Sequence, residues 1–87
     1  MKRELTPIDN RKSFYGKAYT ITAADGTETL YSYDTPIMSR TTSGILRRSR
    51  AEWTIKKDWT PTTARHIAAF LGKKITKAQF FAIPTED

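Results

Sequence analysis

The chain has 87 residues and a net charge of +6, with 15 Lys and Arg against nine Asp and Glu. A chain this short has room for one hydrophobic core and buries about 64 % of its surface on folding, enough to fold alone but with little margin. Its 38 % hydrophobic content exceeds that of a disordered tail, no run approaches the ~18 to 20 apolar residues of a membrane helix, and the absence of cysteine excludes disulfide scaffolds, thiolate metal sites and thiol catalysis.

Residues 1–12 mix charges with single apolar side chains and a proline, which predicts a flexible arm ahead of one domain spanning 13–87. That start lacks the apolar centre of a signal peptide, so a cytoplasmic location is expected. From Ser13 the pattern alternates with the two-residue period of a strand as far as Thr22. Asp25-Gly26 suits a two-residue type I′ turn, and 27–33 resumes with β-branched and aromatic residues. With that loop Ile21 lies opposite Leu30 and Thr20 opposite Tyr31. One face then carries Tyr19, Ile21 and Leu30 as core, and the other carries Tyr31 and Tyr33.

Asp34-Thr35-Pro36 should end the second strand, because proline lacks the ladder donor. A third strand is expected at 37–41 and a longer fourth at 45–56, the latter with Ile45, Ser49, Ala51, Trp53 and Ile55 inward and Arg48, Arg50 and Lys56 outward. Thr60 then caps a helix with Pro61 in its first position. Ala64, Ile67, Ala68, Phe70 and Leu71 form its apolar stripe, and Gly72 ends it. Thr76 and Gln79 have capping-box spacing for a second, short helix before Pro84. The expected fold is α+β, an antiparallel sheet of about four strands followed by two C-terminal helices packed on one face.

Catalytic equipment is sparse. There is one histidine, His66, on the flank of the helix stripe; no serine lies in a G-x-S-x-G elbow; and the acids share no metal-ligand spacing. A hydrolase centred on His66 is the weakest reading, and the chain is expected to be neither an enzyme nor a cofactor or metal binder. The better lead is charge. Six basic residues, Arg40, Arg47, Arg48, Arg50, Lys56 and Lys57, stand against Glu52 alone between positions 40 and 57. Arginine engages phosphate through two parallel N–H bonds, and the nearby Tyr31 and Tyr33 could stack on unpaired bases. These eight residues are the expected contact set. An exposed strand edge also allows a homodimer.

Three segments, SFYGKA at 13–18, LYSYDTPI at 30–37 and WTPTTARHI at 59–67, resemble short uncharacterised proteins encoded by bacteriophages and other bacterial mobile elements, over most of residues 13–83. The resemblance implies a context and transfers no catalytic residue. The basic run at 47–50 lies outside the shared pattern. Context and charge together lead to two expectations: an inhibitor of a host defence nucleoprotein such as a CRISPR effector, or a nucleic-acid-binding accessory protein of a mobile element.

Overall fold

Asp25 and Gly26 turn the chain as their chemistry requires, but the loop they make is one residue longer than the shortest hairpin. In the computed structural model, which describes residues 1–5, 16–50 and 59–85, Ala23 N donates to Thr27 O at 2.9 Å and Gly26 N to Ala23 O at 2.9 Å. The loop is therefore Ala24-Asp25-Gly26, with Gly26 at φ 90° in the left-handed region. A side chain there would also collide with the methyl group of Thr42, so glycine is required twice over. Asp25 Oδ1 accepts from Thr27 N at 2.9 Å, and this backbone bond holds its carboxyl below the usual range.

That added loop residue shifts the register by one. Thr20 faces Leu30, Tyr19 faces Tyr31 and Ile21 faces Thr29, in place of the expected Ile21–Leu30 and Thr20–Tyr31 pairs. Because side chains alternate along a strand, the shift turns β2 over relative to β3, which keeps Leu30 inward and Tyr31 on the other face as expected. Thr20 and Leu30 are fully buried on the helix side, whereas Ile21, expected in the core, is 39 % exposed.

Five strands form an antiparallel meander in the order β1 (Lys2–Glu4), β2 (Ala18–Thr22), β3 (Glu28–Ser32), β4 (Thr35–Arg40), β5 (Leu46–Arg48). The first is the one beyond the expected four. Residues 2–4, read from the sequence as part of an arm, pair with β2 as an edge strand, Arg3 opposite Thr20. All three are charged, a device that discourages further strands from adding to that edge. The next turn is tighter than the first: Ser32 pairs with Thr35 around Tyr33 and Asp34, both at positive φ (51° and 69°). Pro36 thus lies inside β4, tolerated beside a register shift at Leu30/Tyr31 that frees the ladder locally. β5 stops at Arg48, so the described part of the expected 45–56 strand is only three residues long, and Ala51, Trp53 and Ile55 lie outside the described residues.

Two helices cover one face. In α1 (Pro61–Leu71) Thr60 Oγ1 accepts from Thr63 N at 3.2 Å, Pro61 opens the first turn, and Gly72 at φ 79° closes the last with its N–H on Ala68 O. In α2 (Lys77–Phe81) the capping box is complete: Gln79 N donates to Thr76 Oγ1 and Thr76 N donates to Gln79 Oε1. The core between sheet and helices consists of Leu30, Ile37, Met38, Ile67, Phe70 and Phe80, with Trp59, Phe81 and Ile83 packed around it. Leu30, Ile37, Met38, Ile67 and Phe80 are each at 2 % exposure or less, and full burial of such a side chain contributes about 1.5–3 kcal/mol.

Candidate functional site

The register decides where each expected cation points. Arg40 and Arg48 pair with Leu46 and Met38 respectively, on the helix side of the sheet. Arg40 bonds Glu28 Oε1 at 3.2 Å and lies with its guanidinium carbon 4.5 Å from the Phe70 ring centre. Arg48 donates from Nε to Ile83 O at 2.7 Å and packs 5.1 Å from the Phe81 ring. Both are built into the seam between sheet and helices, and Arg48, expected to point away from the core, packs against its rim. Arg47, paired with Ser39, projects from the other face and is exposed, as is Arg50. Lys56 and Lys57 lie outside the described residues. The 40–57 stripe is therefore divided between two faces.

The tyrosines divide as well. Tyr31 stacks on Tyr19 across β2 and β3, with centroids 5.3 Å apart and planes 3° from parallel, on the face without helices. Lys2 Nζ stands 4.3 Å from the Tyr19 ring centre, and the Tyr19 hydroxyl donates to Asp34 Oδ1 at 2.6 Å. That bond favours the protonated phenol and raises the Tyr19 pKa above its ordinary 10.0. Tyr33, at the hairpin tip, is 55 % exposed with Lys17 Nζ 5.2 Å from its ring centre. Its other neighbour is His66, 5.9 Å between ring centres. His66 is 2 % exposed and its Nδ1 shares a hydrogen bond with Ser32 Oγ at 2.7 Å. Burial first and the Arg65 charge second lower its pKa below 6.5, so the ring is neutral at pH 7. Ser32, at 4 % exposure, is as enclosed as its partner, and the pair ties α1 to β3.

The excess of cations lies in the second part of the chain. Residues 1–34 contain five basic residues and five acids, so the whole net charge resides in 35–87. Among the described residues of that half are Arg40, Arg47, Arg48, Arg50, Arg65, Lys73, Lys74 and Lys77, and no acid. Glu52, Asp58, Glu86 and Asp87 belong to the segments outside the description. On this half an open groove of about 400 Å³ runs between the end of β4–β5 and the two helices, lined by Arg40, Gly44, Leu46, Leu71, Lys73, Ile75, Gln79 and Ile83. Lys73, Lys74 and Lys77 are all exposed. Sequence reading passed over these lysines, although the signal was present: three cations in five residues without an acid, two in the connection between the helices and Lys77 at the start of the second.

Among the described residues no group of three His, Cys, Asp or Glu could hold a metal ion, and no helix is long and apolar enough to cross a membrane. A family model described as a family of unknown function (DUF8033) matches residues 3–82. No curated protein and no solved structure matches the chain.

Proposed function

Because the chain belongs to DUF8033, a family without an assigned activity, we propose a reading from its charge layout: a non-enzymatic binding module that takes nucleic-acid phosphate at the groove beside Arg40 and Lys73. The observation that carries this is the groove that places Lys73 beside Arg40, within a half of the chain, 35–87, that holds ten Lys and Arg against four Asp and Glu. Clustered cations raise the local concentration of a polyanion and release its counterions on contact. The resemblance to phage and mobile-element proteins suggests one carrier of such phosphate, a CRISPR effector with its guide RNA and opened DNA. The protein would then act there as an inhibitor.

If Arg40, Lys73, Lys74 and Lys77 each neutralise one phosphate, the slope of log K against log salt is about −3.6, and affinity falls roughly 150-fold between 50 and 200 mM salt. Fluorescence anisotropy with a labelled oligonucleotide measures this directly. A slope near zero, or no binding at the lowest salt, removes the proposal. Co-elution with an effector and reduced cleavage would identify the carrier.

A further inference from the structure

Phosphate recognition does not require the apolar lining of the groove. Leu46, Leu71, Ile75 and Ile83 form an aliphatic floor beside Arg40 and Lys73, and an ion bound by lysine alone would be held equally well on a flat surface. A ligand that uses both features must join an apolar-faced group to negative charge. The volume of about 400 Å³ is within the range of small-ligand sites, which begins at roughly 300 Å³.

Two polar groups on the groove are already fixed in place. The Arg40 guanidinium is held by the Phe70 ring at 4.5 Å and by Glu28 at 3.2 Å, and 31 % of its side chain remains exposed. A planar cation so held offers a stacking surface without further loss of side-chain freedom. Gln79 has its Oε1 committed to Thr76 N at 2.8 Å, which leaves its amide NH2 as the group it offers a ligand. A ring with carbonyl acceptors on its edge, linked on both sides to phosphates, matches the floor, the plane, the donor and Lys73 together, with Lys74 and Lys77 exposed close by in the chain.

We infer that the groove takes one unpaired base of a single strand, stacked on Arg40 and bonded by Gln79, with the flanking phosphates on Lys73, Lys74 and Lys77. This rests on the phosphate-binding reading above and refines it. A duplex, whose bases are paired and stacked inside, does not supply the group.

The test is anisotropy with the full chain at low salt on three 12-nucleotide probes: a single strand, an abasic strand with the same number of phosphates, and the duplex, in DNA and in RNA. The base-bearing strand should bind about tenfold more tightly than the abasic strand and the duplex. Gln79→Glu keeps the capping box, and so the fold, while replacing the donor with a carboxylate. It should reduce the ratio of base-bearing to abasic binding, whereas Lys74→Ala should weaken both strands alike. The inference stands if either sugar series gives the ratio, and the tighter series names the ligand. Binding of all probes within twofold of one another, in both series, overturns the groove assignment while the phosphate reading survives. Absence of binding to every probe overturns both.

Discussion

Replacing Ser32 with alanine tests the enclosed joint between sheet and helix. The Ser32 hydroxyl and His66 Nδ1 are 2.7 Å apart, at 4 % and 2 % exposure. Whichever atom donates, the variant leaves a buried ring nitrogen without this partner and with little access to water, at a cost of about 1–3 kcal/mol. A domain of 87 residues has total stability of roughly 4–13 kcal/mol, so the loss is a substantial fraction. At about 4–8 °C per kcal/mol, Tm should fall by at least about 4 °C in a calorimetric or circular-dichroism melt. A second reading follows from the lowered His66 pKa. The folded ring resists protonation, so the unfolded chain takes up a proton first as pH drops below about 6.5. Stability should be full above that pH and decline below it, down to the folded-state pKa, and His66→Leu should flatten this part of the profile. A Ser32→Ala melt within about 1 °C of the parent, or a wild-type profile flat between pH 7 and 5, would refute the buried neutral joint.

Thr20 is fully buried opposite Leu30, and its hydroxyl has no hydrogen-bond partner among the described residues, so Thr20→Val should stabilise by about 1 kcal/mol, read as a rise in denaturant midpoint. Asp34→Asn removes the charge that holds the Tyr19 proton, and ultraviolet titration should show one tyrosine ionising closer to pH 10 than in the parent; an unchanged curve counts against the 2.6 Å bond. Simultaneous Lys73→Ala, Lys74→Ala and Lys77→Ala should leave about one phosphate contact and bring the salt slope from about −3.6 to about −0.9. A slope unchanged in that triple variant would move the interface to another part of the surface.

Local chemistry made both helices legible. Thr60 with Pro61, Gly72, and Thr76 with Gln79 act within one turn of chain, so a cap can be recognised without knowing what the helix packs on. The helix stripe was legible too, since Ile67, Ala68 and Phe70 are buried as their spacing demands. The sheet was less so. Asp25-Gly26 located a turn, but nothing in the pair sets a loop of two or three residues, and that difference of one reversed which side of β2 became core while β3 kept Leu30 inward. Asp34 tolerates positive φ, but Tyr33 gave no warning of it, because a bulky side chain disfavours that geometry and here it is imposed by the pairing on either side.

Composition alone determined the lack of thiol chemistry and the excess of positive charge, since these depend on counts and not on arrangement. Which cations share a surface was decided by the tertiary structure. Strand pairing sent Arg40 and Arg48 into the helix seam and Arg47 to the opposite face, while the packing of the helices on that side of the sheet, Phe70 on Arg40 and Phe81 on Arg48, put Lys73 beside Arg40, 33 positions away in the chain. Proximity along a sequence predicts proximity in space only within a helix turn or a hairpin, and the groove is closed by neither.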